Sequence, residues 1–241
     1  MIRILLLLIL SIFFIKCDVS IEEPTINSGV IDFDGNIYKC VELDKIWMAE
    51  NLNVSHYKNG DTIPQIQDAK TWYEYKEGAW CYNLYDTISV IKKAKLYNWY
   101  AVNDPRGLAP EGFHIPSNED WRQLKIYLGE GHGTILKSTN GWKEKGAGNN
   151  KTDFNALPVG LRFIDKPINY AGYSTGWWTS SENYERWALY NYLHYSFDHL
   201  ETASTLKTNG LSVRCIKDYK MIENRYLRTL NTFLKRIFNY S

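Results

Sequence analysis

The 241-residue chain has few cysteines, few prolines and almost no net charge. It contains four cysteines and seven prolines, and its formal net charge is +1. Four cysteines are too few for the dense disulfide framework of a small secreted domain, and their separations match no zinc signature. Without a basic stripe in the globular part, nucleic acid is not expected as a partner. The sequence predicts neither a metal nor a cofactor.

The conspicuous apolar run at the start is too short to span a membrane. Residues 4–15 are apolar except for Ser11, and Arg3 precedes them. A spanning helix needs roughly 20 such residues. A basic start, a short apolar stretch and then polar sequence are typical of a secretory signal.

Lys16 and Cys17 follow this run, and the cysteine predicts a lipoprotein-type signal in residues 1–17, with acyl chains on Cys17. The residues before it depart from the strict lipobox, so cleavage by an ordinary signal peptidase and retention as an uncleaved anchor are the alternatives. Residues 18–29 form a predicted polar tether. We therefore expect an exported protein of the bacterial cell envelope, an outer-membrane or surface lipoprotein that meets the membrane through its lipid.

Export would place the other three cysteines in an oxidising compartment, where one disulfide and one free thiol are the simplest arrangement. The predicted pair is Cys40 with Cys215, because each lies in a strand-like run near one end of the domain. Three unpaired thiols, with Cys81 as the third, are the alternative.

Residues 30–218 predict one α+β domain with short strands and long loops. The chain is 15% aromatic and 44% hydrophobic, which is enough for a substantial core. An Asp34-Gly35 turn predicts a hairpin over 30–41. One clear helix is predicted near 117–128, begun by Ser117 as N-cap and ended by Gly129.

The last residues differ from the domain in charge and pattern. Residues 219–241 carry a net charge of +4, whereas residues 18–218 carry −5. Apolar residues recur at helical spacing over 222–238, which predicts an appended amphipathic C-terminal helix. This helix is expected to pack on the acidic domain or a partner, or else to lie on an anionic membrane surface.

Two residue patterns suggest chemistry, and both are weak. Gly172 to Gly176 match the G-x-S-x-G pattern of serine hydrolases around Ser174, but the Trp-Trp-Thr that follows indicates a strand where that motif needs a helix. His194 and His199, with Asp198, could bind a metal on a loop, but their spacing does not put them on one helix face. Solvated or core histidines are the expected alternative.

The nine tryptophans divide into two groups. Trp47, Trp99, Trp121, Trp177 and Trp178 lie in apolar segments and are predicted to be core residues. The other four lie in loop-like sequence, where they either form exposed platforms for a ligand or are partly buried under loops. These candidate ligand-binding residues are Trp72, Trp80, Trp142 and Trp187.

Seven stretches in order, between about residues 30 and 218, resemble the Fibrobacter succinogenes major paralogous domain family. The resemblance implies exported, often lipid-anchored proteins with a C-type-lectin-like fold, and it implies no established activity. This chain has Phe113 where members usually have tryptophan and Ala109 where many have cysteine, and the missing cysteine counts against a family disulfide. The matching stretches are residues 31–38, 46–52, 96–102, 110–116 with Trp121, 154–158, 177–181 and 212–215.

The sequence predicts a protein that is not an enzyme. The leading hypothesis is a non-catalytic binding module for a glycan or a protein ligand. The tripeptides with which C-type lectins hold sugar through calcium are absent, so the fold class would not by itself make this a lectin. The alternatives are a structural envelope protein that assembles through its C-terminal helix and, last, a serine hydrolase using Ser174.

Overall fold

The computed structural model describes residues 29–83, 94–163 and 170–218. The predicted signal segment with Cys17, residues 18–28 of the predicted tether and the C-terminal segment from residue 219 lie outside these ranges. In the described ranges, no helix combines the length and the apolar character that crossing a membrane requires.

Short antiparallel strands and a few helices form the described domain, which confirms the α+β class. The elements in chain order are β1 (Val30–Ile31), β2 (Ile37–Tyr38), β3 (Cys40–Glu42), β4 (Ile46–Met48), α1 (Ala69–Glu74), β5 (Trp80–Tyr82), β6 (Lys95–Tyr97), α2 (Trp99–Val102), β7 (Phe113–His114), α3 (Asn118–Leu128), α4 (His132–Leu136), β8 (Ser174–Tyr184), β9 (Trp187–His194), β10 (Glu201–Leu206) and β11 (Ile216–Lys217). The strand orders are β1-β2, β5-β6, β3-β4-β11-β7 and β10-β9-β8.

The sheet β3-β4-β11-β7 joins the two ends of the domain. Ile216 of β11 lies opposite Trp47 of β4 on one side and His114 of β7 on the other. The backbone N–H of Met48 donates to the carbonyl of Cys215 at 2.9 Å. Because β4 near the start of the described domain pairs with β11 at its end, the domain closes on itself.

The predicted N-terminal hairpin is shorter than 30–41. Val30 pairs with Tyr38 and Ile31 with Ile37, around a turn in which Gly35 takes a positive φ of 82°. Residues 40–42 pair instead with β4. The Asp32 carboxylate accepts hydrogen bonds from Asn36 and from the Tyr38 hydroxyl, and these bonds tie the short hairpin together.

The helix predicted near 117–128 is confirmed as α3. Ser117 is its N-cap and forms a capping box with Asp120, and Gly129 is its C-cap. Trp121 and Leu124 on its inner face are buried. Local sequence chemistry is therefore sufficient to specify this helix.

The longest strands form a meander, β8-β9-β10, that the sequence did not predict in full. Only the segment around Trp177–Thr179 was expected to be a strand. Gly176 of β8 allows close packing, because a Cβ there would lie 2.6 Å from the side chain of Leu161. Register shifts between Trp178 and Tyr184 bend the β8-β9 ladder.

The core predicted from the five apolar-segment tryptophans is confirmed. Each of them has at most 4% of its surface exposed. Trp47 and Trp121 lie 4.7 Å apart between ring centroids, and Trp121 stacks on Trp177 at 5.6 Å. These rings belong to one cluster, while Trp99 and Trp178 belong to a second and larger one.

Candidate functional site

Three of the four candidate ligand-binding tryptophans are buried, so they are not exposed platforms, and the alternative of burial under loops holds for them. Trp72, Trp80 and Trp142 are 1%, 5% and 9% exposed. Their indole N–H groups donate to the carbonyls of Thr208, Ile63 and Ala156, respectively. Loops fold over these rings and supply backbone acceptors, which makes them structural.

Trp187 is the exception, with 41% of its surface exposed. It lies opposite Tyr184 across the turn between β8 and β9. Tyr184 is 70% exposed. This turn therefore presents two aromatic side chains to solvent.

Ser174 has the surroundings of a structural serine. It begins strand β8, is 4% exposed, and its hydroxyl donates to the Leu193 carbonyl at 2.9 Å. His194 is its cross-strand neighbour, but the His194 Nδ1 contacts the Ser196 hydroxyl at 2.7 Å. The strand–turn–helix geometry of a nucleophile elbow is not present at this position.

The predicted disulfide between Cys40 and Cys215 is not formed, and the sheet explains why. Cys40, Cys81 and Cys215 are free thiols. Cys40 pairs with Met48 of β4 from one side, and Cys215 bonds to Met48 from the other. Two strand spacings separate the two cysteine Cα atoms by about 10 Å, beyond the roughly 7 Å that a disulfide allows. Burial raises the pKa of the Cys215 and Cys81 thiols.

A series of neighbouring aromatic rings lies at the surface where β9 ends and the loop to β10 begins. Successive ring centroids are 5.4, 4.5, 5.1 and 5.3 Å apart. All five side chains are at least partly exposed, and Phe197 is 39% exposed. We call this series the aromatic row; its members are Tyr173, Tyr195, His194, Phe197 and His199.

The backbone beneath the aromatic row is held in place by residues of helix α4 and of its C-terminal end. The N–H of Gly133 donates to the Asp198 carbonyl at 2.6 Å, and the ammonium of Lys137 donates to the Phe197 carbonyl. A Cβ on Gly133 would lie 2.5 Å from the Asp198 carbonyl carbon, so only glycine permits this approach. The loop that carries the row is therefore fixed on helix α4.

Charged groups flank the row at both ends. The Lys143 ammonium lies 5.1 Å from the Tyr173 ring centroid. At the other end, His199 Nδ1 lies 3.2 Å from Asp198 and its Nε2 lies 2.6 Å from Glu201. In the part of the chain that the structure describes, no three His, Cys, Asp or Glu residues are grouped to hold a metal. The row therefore offers flat apolar faces between charged ends.

We expect His199 to titrate above its ordinary range. Its hydrogen bonds to Asp198 and then to Glu201 raise its pKa, whereas burial lowers the pKa of His194. The stability from His199 is therefore fully present below its unfolded-state pKa and is lost as the pH rises through its folded-state pKa. Titration by nuclear magnetic resonance should show His199 above His194, and Asp198→Asn should lower the His199 pKa. The opposite order would contradict this assignment.

A second polar assembly lies inside the domain, around the buried side chain of Arg214. Its guanidinium donates to Asn51 Oδ1 at 2.9 and 3.2 Å and to the Phe154 carbonyl. The Trp177 indole donates to the same Asn51 oxygen at 2.8 Å. Burial lowers the pKa of Arg214 to about 9. We call Arg214, Asn51, Phe154 and Trp177 the arginine centre.

The family model described as the Fibrobacter succinogenes major domain matches residues 44–217 of the chain. The chain belongs to this family. The predicted family resemblance is confirmed. The matched residues of this Fibrobacter succinogenes major domain contain both the arginine centre and the aromatic row. Neither the curated proteins nor the solved structures give a match.

Four of the stretches that resemble the family meet at the arginine centre. Asn51 comes from 46–52, Phe154 from 154–158, Trp177 from 177–181 and Arg214 from 212–215. These stretches of the Fibrobacter succinogenes major domain thus hold its interior together.

The sequence did not predict the aromatic row as a site. The sequence patterns indicate its histidines only as metal ligands or as solvated or core residues, and they give no prediction for its tyrosines or Phe197. The available signal was the density of rings in residues 190–199, where six of the ten residues are Tyr, His or Phe.

Proposed function

We propose that this protein is a non-catalytic surface protein that binds carbohydrate through the aromatic row. The observation that carries the proposal is the unbroken series of partly exposed rings with centroids 4.5 to 5.4 Å apart. Flat aromatic faces stack on the apolar faces of sugar rings, and polar groups at the edges take up the hydroxyls.

The fixed backbone of the row supports a binding role. Its loop is bonded to Gly133 and Lys137 and does not have to be ordered when a ligand arrives. Ordering a flexible loop costs binding free energy, so a preformed platform binds more tightly for the same contacts.

The proposal includes a C-type-lectin-like scaffold. It is supported by the family membership and by the sheet β3-β4-β11-β7, in which a strand near the start of the domain pairs with its last described strand. Loops on a rigid scaffold are where binding residues concentrate.

Export and lipid anchoring complete the proposal, and their support comes from sequence. Arg3, the apolar run 4–15 and Cys17 form the pattern of a lipoprotein signal. The intact mass of membrane-extracted protein should include acyl chains, and a Cys17→Ser variant should lack them. An unacylated mass for the unaltered protein would contradict the anchor.

Binding to a glycan array tests the role of the row. Phe197→Leu keeps an apolar side chain but removes the flat ring, and it should weaken binding about tenfold. Phe197→Tyr keeps the ring and should retain binding. Trp187→Ala, at the other end of the meander, is the matched control for an exposed aromatic residue.

Two outcomes would overturn the proposal. Loss of binding in Trp187→Ala with full binding in Phe197→Leu would show that the binding site lies at the β8–β9 turn and not at the aromatic row. A negative array, together with a bound protein whose capture is lost in Phe197→Leu, would assign the row to a protein ligand.

A further inference from the structure

A groove of about 710 Å³ lies between the β3–β4 turn, the end of helix α3 and the loop after helix α4. It is separate from the aromatic row. Its lining includes Val41, Leu43, Tyr127, Leu128 and Ile135.

The apolar side chains of the groove are incompletely covered. Val41, Leu43 and Leu128 are partly buried and pack against the core cluster that contains Trp47. Tyr127 remains 59% exposed. These apolar side chains line one groove together, so the apolar face of another segment can pack against them.

The charges of the groove are mainly negative. Glu42, Glu130 and Asp153 line it, against the single ammonium of Lys151. A partner that fits this surface therefore has an apolar face bordered by positive charges.

Residues 219–241 of the same chain have this composition. Their net charge is +4, and their apolar residues recur with the period of a helix over 222–238.

The described part of the chain also ends at the same end of the sheet as the groove. Both β3 and β11 run antiparallel to β4, so they run in the same direction. Asp218, which follows β11, therefore leaves the sheet at the end where the β3–β4 turn lines the groove, two strand spacings or about 10 Å away. A helix over 222–238 would be about 25 Å long, which is more than this distance.

We propose that the groove is the docking site for the chain's own residues 222–238. The apolar stripe of this segment covers Tyr127, Leu128 and Leu43, and its basic residues face Glu42 and Glu130. This proposal does not depend on carbohydrate binding, because it concerns a different surface.

Hydrogen exchange of the full chain, read by mass spectrometry, tests the docking. The amides of 222–238 should be protected in the unaltered protein. Reversing two charges of the groove, with Glu42→Lys and Glu130→Lys, should speed their exchange about tenfold. Glu111→Lys with Glu144→Lys, at two exposed carboxylates outside the groove lining, is the matched control and should leave the exchange unchanged.

A second measurement reports the accessibility of the groove itself, not the protection of residues 222–238. Deleting 219–241 should increase the rate at which an amine-reactive reagent modifies Lys151, which lines the groove. Three results would overturn the proposal: exchange at the rate of an unstructured chain, equal exchange in the groove and control variants, or protection only after vesicles of anionic lipid are added.

Discussion

Trp177→Ala is expected to lower the free energy of unfolding by about 3–5 kcal/mol. The side chain is fully buried, stacks on Trp121 at 5.6 Å and meets the edge of Phe154 at 5.7 Å. Its removal leaves a cavity in the aromatic cluster and takes one donor from Asn51. Guanidinium unfolding followed by circular dichroism measures the change.

Trp187→Ala is the control for this prediction, because it removes the same side chain from an exposed position. Its expected cost is about 1 kcal/mol or less. Equal losses in the two variants would show that Trp177 does not lie in the packed interior.

Asn51→Ala should cost about 3 kcal/mol or more, although it removes only a small polar side chain. The Asn51 side-chain oxygen accepts hydrogen bonds from both Arg214 and Trp177. Without it, the buried guanidinium loses a main acceptor, and no ion pair among the described residues takes its place. Denaturant unfolding below pH 8, where Arg214 is charged, measures the loss.

Two further variants make this result specific. Asn140→Ala, at an exposed position, should change the unfolding free energy by less than about 0.5 kcal/mol. The double variant Asn51→Leu with Arg214→Met removes the charge together with its acceptor, and it should be more stable than Asn51→Ala. A double variant that is less stable than the single one would argue against a buried charge at this centre.

Local signals in the sequence predicted those parts of the fold that depend on neighbouring residues. Helix α3 follows from its cap at Ser117 and the spacing of Trp121 and Leu124. Residues 96–102 show no single period, because a strand ends at Tyr97 and a helix begins at Trp99 within the same apolar run. Helices α1 and α4 are too short to show a period.

The candidate site was the least predictable part. Whether a tryptophan in loop-like sequence is exposed depends on which distant segment covers it. Trp72 is covered by the segment around Thr208, to whose carbonyl its indole donates, whereas Trp187 is 41% exposed. The aromatic row likewise forms because the loop after β9 packs on Gly133, a contact that spacing along the chain does not reveal.

The sequence by itself determined the family, through seven matching stretches in order. It also determined the α+β class, the capped helix and the five core tryptophans, because composition, caps and apolar patterns act over a few residues. Tertiary structure alone decided that Cys40 and Cys215 lie on either side of β4, that three loop tryptophans are buried and that five rings meet at one surface. These three outcomes depend on strand order and on contacts between distant segments. No local sequence pattern encodes strand order or such contacts.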